Sequence, residues 1–251
     1  VDEIIICSSI NDQDKPLADI AKQNGIKCYF GSPDDVLTRL LEAADKFNLD
    51  YILNITADCP FVDPYYADKI VDKYVETGAD LIRQFDLPHG VFSYGIKVDA
   101  LRRVVELKDS TDTEVWGRYF VDTGLFNVLD LDVKNEKHKR PGLRMTLDYQ
   151  KDFEFFQVVF NELYVENQVF SLTAILDLLD RHPEIIDINK DCGNKFKKRF
   201  ISQSEPKLKK TTKVRTALII GAGSIGQRHI RNLRKIGIDN IFPLIFFHSK
   251  K

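Results

Sequence analysis

The 251-residue sequence has no apolar run approaching the roughly 20 residues of a membrane span, and no signal peptide. Cysteine is scarce. Cys7, Cys28, Cys59 and Cys192 are scattered, without C-x-x-C spacing or a dense framework, which excludes a disulfide scaffold. Reduced thiols in a cytoplasmic protein are expected. Neither sign of charge is in excess, and a formal charge of −2 gives no global pull toward nucleic acid or an anionic membrane. Neither is expected as a partner, and no internal repeat is found. What remains, 43% hydrophobic and 29% charged, is an ordinary globular composition with ample core for one large domain or two smaller ones. The chain starts at Val1 rather than Met and stops at Lys251 just after a strand-like run. Both ends read as cut, and a fragment of a longer protein is the expectation.

The stretch around which the rest is organised is residues 51–64, Y-I-L-N-I-T-A-D-C-P-F-V-D-P. Its first half is short, apolar and β-branched, which predicts a strand buried on both faces of a parallel sheet. Asp58 follows at once, where open α/β sheets bind their ligands. Asp58 has two readings, a cap of the next helix or a site residue. Asp63, with Pro64 at the first helical position, is the better cap and leaves Asp58 free.

Before this stretch, strands are expected over 3–7 and 26–30 and helices over 17–24 and 36–47. A helix over 65–76 follows it. The β-α-β-α-β-α order predicts an α/β fold with a mostly parallel sheet, right-handed crossovers and helices on both faces. Farther on, 88–98 alternates like a strand and loop, and helices are expected over 99–107, 111–119, 152–166 and 172–179. Strands are expected over 120–130 and 143–147, the latter ending at Asp148. Phe153, Phe156, Val159 and Phe160 read as core. Residues 195–213 are rich in Lys and Arg with few apolar residues, and a solvated linker suits them better than a nucleic-acid patch, since aromatic interleaving is absent. The domain division expected is 1–194, a basic linker over 195–213, and the start of a second domain over 214–251.

Asp58 and Asp148 both follow apolar strand-like runs, so both could lie on one edge of the sheet. Two carboxylates there suit Mg²⁺, which prefers oxygen ligands and shares its remaining positions with water and substrate phosphates. The alternative is that Asp148 caps the helix over 152–166 or lies in a surface turn. Three ordered segments carry a resemblance: Phe30-Gly31-Ser32-Pro33-Asp34-Asp35-Val36-Leu37, Asn54-Ile55-Thr56-Ala57-Asp58-Cys59-Pro60-Phe61-Val62-Asp63-Pro64 and Arg144-Met145-Thr146-Leu147-Asp148-Tyr149-Gln150-Lys151-Asp152-Phe153. Together they resemble the spore-coat polysaccharide type of cytidylyltransferase, relatives of the acylneuraminate and Kdo cytidylyltransferases, over roughly residues 1–190. The resemblance implies a Rossmann-like nucleotidyltransferase fold that couples CTP to a sugar or sugar acid and releases pyrophosphate. It implies Asp58 and Asp148 as catalytic Mg²⁺ ligands, with Gly31, Ser32, Asp35 and Thr56 near the nucleotide. His89 and Glu114 would contact the acceptor, although His89 alone reads equally well as a loop residue. The family opens with a strand and a basic, Gly- and Ser-containing loop for the triphosphate, and this sequence starts after that point.

Beyond the linker, residues 216–220 read as a strand running into Gly221-Ala222-Gly223-Ser224-Ile225-Gly226 and a helix over 225–236. G-x-G-x-x-G after a strand and opening a helix is the signature of a dinucleotide turn, with the pyrophosphate at the helix N-terminus. Gly221, Gly223, Ser224, Ile225 and Gly226 are the expected NAD(P) contacts. The next strand, 241–247, runs into His248-Ser249-Lys250-Lys251 where an acid for the ribose is expected. With Gln227-Arg228-His229 the segment is similar to the N-terminus of Gfo/Idh/MocA-type oxidoreductases, which use NAD(P) on sugars. The leading expectation is therefore a Mg²⁺-dependent cytidylyltransferase fused to a sugar oxidoreductase, for surface polysaccharide synthesis, with a homodimer as the oligomer to consider. The alternatives are an oxidoreductase as the main activity, or a non-catalytic module that binds a sugar nucleotide.

Overall fold

The computed structural model describes residues 2–193, 205–209, 216–220, 224–235, 238 and 240–244. Its first unit is a parallel pair, β1 (Ile5–Ser9) and β2 (Lys27–Gly31), joined through α1 (Pro16–Gln23). Helix α2 (Val36–Phe47) has the bounds its sequence predicts. Asp35 accepts the Thr38 N–H at its start, and Asn48 ends it in the left-handed conformation. Leu37, Leu40, Leu41 and Ala44 form its buried stripe, and each fully buried leucine is worth roughly 1.5–3 kcal/mol of transfer free energy.

Next come β3 (Tyr51–Asn54), α3 (Pro64–Thr77), β4 (Leu81–Arg83), β5 (Tyr94–Lys97) and α4 (Val98–Leu107). Asp63 caps α3 through the Tyr65 N–H, Pro64 is at its first turn, and Gly78 stops it at φ +60. The expected parallel burial of β3 is not what forms. β3 pairs antiparallel with β5, Tyr51 opposite Lys97, and all four of its residues are half-buried. β5 is also antiparallel to β4, and within this four-stranded sheet, ordered β3-β5-β4-β6, the parallel pair is β4 with β6 (Val128–Asp130). The physical reason is the return over residues 84–93, which brings the chain back without the helical crossover that a parallel partner needs.

Three further expectations change. The helix over 111–119 is reduced to α5 (Gly117–Val121), which takes Phe120 and Val121 from the expected strand and leaves β6. No strand forms over 143–147, where Arg144 makes an isolated bridge to His89. In α6 (Gln150–Leu163) the buried residues include Phe155, Phe156 and Val159, while Phe153 and Phe160 are 46% and 38% exposed. One face of α6 packs against α7 (Leu172–Arg181) and the short α8 (Glu184–Asp187); Phe160, one turn after Phe156, sits at the rim of that face with ring contacts to Phe61 at 5.5 Å and Phe170 at 5.3 Å.

Two main cores result. One joins Phe61, Met145, Phe155, Phe156 and Ile175, and the other joins α2, α4 and α5 through Leu37, Leu101 and Phe120. Residues 205–209, inside the expected solvated linker, lie along the end of α4. The Asp109 N–H donates to Lys207 O at 2.7 Å, the Lys209 N–H to Leu107 O at 2.8 Å, and Leu208 packs on the second core. Beyond them β7 (Thr216–Ile220), α9 (Ser224–Lys235) and β8 (Asn240–Leu244) form a β-α-β unit with parallel strands. Gly221 and Gly223 lie outside the described residues. Among the described residues no helix is long and apolar enough to cross a membrane.

Candidate active site

β3 ends at Asn54, and the chain turns through 56–62 with the Cys59 N–H on Thr56 O at 3.0 Å and the Val62 N–H on Cys59 O at 3.2 Å. Because Asp63 caps α3, this turn presents Asp58 with its carboxylate uncommitted to a helix. Thr56 is exposed at this turn, and its hydroxyl donates to Cys59 Sγ at 3.2 Å. The segment before α6 runs alongside, and the Leu147 N–H donates to Asp58 O at 2.8 Å. Thr146, 2% exposed, turns its hydroxyl to Asp58 Oδ2 at 3.1 Å and to Asp148 Oδ2 at 3.4 Å. The two carboxylates expected to act together therefore meet over one hydroxyl. The hydrogen bonds from Thr146 and Arg144 to the two carboxylates all fall on Oδ2, and the Cys59 thiol also lies close enough to interact with Asp58.

His89 closes another side. Its N–H donates to Leu143 O at 2.9 Å and its carbonyl accepts the Met145 N–H at 2.6 Å. Gly90 makes this approach possible: φ is +99, and a Cβ there would lie 2.1 Å from Met145 O. Burial pushes the His89 imidazole below its ordinary pKa and the Arg144 charge adds to this, while Asp148, Asp58 and Asp152 oppose. Those opposing charges place the ring in the field of the same cluster.

Arg144 and Asp152 are the residues to which sequence reasoning gave no role. Asp152 is wholly buried and receives Arg144 Nε at 2.9 Å on Oδ1 and Nη2 at 2.8 Å on Oδ2. The same Nη2 donates to Asp148 Oδ2 at 2.6 Å. Asp152 Oδ2 also takes the N–H groups of Asp148 and Tyr149, both at 3.0 Å, so Asp152 holds the start of α6 and Asp148 is not its cap. Burial alone would raise the Asp152 pKa, but Arg144, the backbone and Asn189 hold it below the usual carboxylate range. The spacing Arg144-x₇-Asp152 gave no local signal, because a loop and a helix turn bring the two together.

A second group surrounds the turn after β2. Ser32 Oγ accepts the Asp35 N–H at 3.1 Å, and Arg39 Nη1 donates to Ser32 O at 2.6 Å, its stem lying over Gly31. Asp35 is buried and fully engaged, accepting from the hydroxyls of Thr38 at 2.8 Å and Thr113 at 3.0 Å and from the Lys108 ammonium. Burial would raise its pKa, yet these donors hold it below the ordinary value. The Thr113 N–H reaches Asp34 O at 3.1 Å, which lays the segment containing Glu114 against this turn. The structure thus brings Asp58, His89 and Asp148 into one group and Gly31, Ser32, Asp35 and the Glu114 segment into another. Ring contacts link them, with centroid distances of 6.0 Å for His89–Phe92, 5.7 Å for Phe92–Tyr94 and 5.1 Å for Tyr94–Trp116.

Among the described residues no group of three or more His, Cys, Asp or Glu side chains is arranged to hold a metal ion. Two carboxylates are the donor set that fits Mg²⁺ when phosphates and water complete its shell, and the residues present fit that ion. In the last unit β7 and β8 are parallel and α9 opens at Ser224, while residues 221–223, which carry the first part of the expected dinucleotide turn, lie outside the described residues.

Comparison with known proteins adds four findings. Residues 2–120 match the family described as cytidylyltransferase. The chain is 28% identical over 197 residues to the uncharacterized protein MJ1063 of Methanocaldococcus jannaschii, covering 78% of this chain and 80% of that protein. It is 24% identical over 186 residues to the spore coat polysaccharide biosynthesis protein SpsF of Bacillus subtilis, covering 73% and 77%. The fold is that of a cytidylyltransferase from Leptospira borgpetersenii serovar Hardjo-bovis, with a TM-score of 0.65 at 20% identity over 72% of this chain and 77% of the other.

Proposed function

We propose, from the match of residues 2–120 to the family described as cytidylyltransferase, that this chain is a nucleotidyltransferase that transfers CMP from CTP to a sugar or sugar acid, for polysaccharide synthesis. The observation that carries the reading is the meeting of Asp58 and Asp148 over Thr146. Asp58 and Asp148 would hold Mg²⁺. The ion, when bound, supplies charge neutralisation at the triphosphate. The turn at Gly31, Ser32 and Asp35 orients the nucleotide, with Asp35 acting from below because its carboxylate is spent on Lys108, Thr38 and Thr113. His89, whose imidazole burial pushes below its ordinary pKa, and the Glu114 segment line the approach of the acceptor. An acceptor oxygen attacks the α-phosphorus in line; the new P–O bond forms as the bond to the β-phosphate oxygen breaks and pyrophosphate leaves.

The test is pyrophosphate release from CTP with a panel of sugars, sugar acids and sugar phosphates, using the full-length protein. Asp58→Asn is expected to abolish the Mg²⁺-dependent part; turnover close to wild type would remove the metal assignment. A second reading, NAD(P) binding by the last unit, draws on its parallel β-α-β order and on Ser224, Ile225 and Gly226 at the start of α9. Quenching of nicotinamide fluorescence by this protein tests it, and absence of binding removes it.

A further inference from the structure

Asp152 has no access to substrate. It is wholly buried, and its two oxygens receive five donors: Arg144 Nε, Arg144 Nη2, the N–H groups of Asp148 and Tyr149, and Asn189 Nδ2 at 2.9 Å. Asn189 comes from the chain after α8 and reaches Arg144 O at 3.3 Å with the same amide. A carboxylate serving only as a helix cap needs one or two of these donors. The rest converge on the segment that ends at Asp148.

We propose that Asp152 is a positioning residue for the metal carboxylate Asp148, holding its main chain directly and restraining the Arg144 guanidinium beside it, with Asn189 as the buttress of the pair. This rests on the reading of Asp58 and Asp148 as Mg²⁺ ligands. Arg144 lies 2.6 Å from Asp148 Oδ2, so an unrestrained guanidinium would turn its fork fully onto Asp148 and cover both oxygens with positive charge. Asp152 takes both Nε and Nη2 and leaves Arg144 only one contact with Asp148. Asp148 Oδ1 then stays open for a cation. The Asp148 N–H on Asp152 Oδ2 fixes the direction in which that oxygen faces. The arrangement follows the general logic of metal sites, where groups behind a ligand set its orientation and charge.

The proposal is tested by Mn²⁺ titration of this protein followed by water-proton relaxation, a readout that a merely structural role would not move in a folded variant. Asp152→Asn is expected to weaken Mn²⁺ binding by roughly 10–100-fold, the usual loss when a group behind a metal ligand is changed. Asp180→Asn, which breaks the surface pair with Arg140, should bind as wild type does. Should Asp152→Asn not fold, Asn189→Ala keeps the ion pair and removes only its buttress, with a several-fold weakening expected. Wild-type Mn²⁺ affinity in folded Asp152→Asn, or in Asn189→Ala where the former does not fold, overturns the positioning role. Asp58→Asn separates the two levels: its loss of Mn²⁺ beside an unaffected Asp152→Asn defeats only this inference. Undiminished binding in Asp58→Asn defeats the metal site itself.

Discussion

Asp58 and Asp148 share the hydroxyl of Thr146, which lies 3.1 Å from one carboxylate and 3.4 Å from the other. One hydroxyl proton cannot fully satisfy both, so the pair keeps residual negative charge toward the open side. Thr146→Val removes the shared donor at nearly constant shape. Since a hydrogen bond to a charged group is worth about 1.5–3 kcal/mol, urea unfolding should show a loss of that order. The Mg²⁺ concentration needed for half-maximal pyrophosphate release should rise, and Thr146→Ser should restore it. Unchanged metal dependence in the valine variant would show that the shared hydroxyl has no part in holding the pair.

Lys108 and Asp35 form a buried ion pair whose side chains are only 8% and 7% exposed. Lys108→Met leaves Asp35 to the hydroxyls of Thr38 and Thr113, neither of which carries charge. Breaking one side of such a pair costs about 3–5 kcal/mol, and the urea midpoint should fall accordingly. Adding Asp35→Asn should recover part of that loss. Additive losses in the double variant would contradict the coupling.

Gly90 has the backbone that brings His89 against the segment before α6. Gly90→Ala would place a methyl on Met145 O, an atom of the main chain that cannot move aside alone. A stability loss of at least about 2 kcal/mol is expected, with Asp58-dependent activity lost as well. An alanine variant with wild-type melting and turnover would mean that the loop does not need this contact.

Acid should weaken the fold in two separate windows. His138 is buried between Tyr66 OH and Thr173 Oγ1, each at 2.8 Å, and burial lowers its pKa, with Asp63 opposing and Lys137 adding. The unfolded chain therefore takes up the proton first. The contribution of His138 is complete above the unfolded value of about 6.5 and is lost as pH falls from there toward the folded value; His89 moves in the same direction. Asp35 and Asp152, depressed in the folded state, contribute fully above about 3.9 and fail only below it. Urea midpoints at pH 7.5, 6 and 5 should decline stepwise, and His138→Gln should flatten that decline. A profile that stays level from 7.5 to 5 would refute the histidine window.

Local chemistry was readable wherever one residue sets one boundary. Asp63-Pro64 before Tyr65 marked a helix start correctly, and assigning the cap to Asp63 left Asp58 free of it, whereas Asp35, read only as a turn residue near the nucleotide, also caps α2. Pairing was not readable. Nothing in the apolar run of β3 says that its partner is β5 running the other way, because burial on a sheet looks alike in both directions. Residues 143–147 carry a strand's composition and yet lie between two loops, joined by main-chain bonds to His89 and Asp58. Arg144 and Asp152 lay inside the motif that pointed to Asp148, but a buried ion pair across a loop and a helix turn has no sequence period. Residues 205–209 were charged enough to read as solvated, and their attachment to α4 is through the main chain, to which composition is blind.

The segment before α6 has a consequence for how the molecule opens. Its Met145 and Leu147 amides donate to His89 O and Asp58 O, so the same two hydrogens that order the loops are also protected by them. A transient separation of any one loop must release at least one of these amides to solvent. Their deuterium uptake therefore serves as a clock for the assembled site. Exchange of the two at one common rate would identify a single cooperative opening, and two distinct rates would resolve the His89 side from the Asp58 side without any substrate being added.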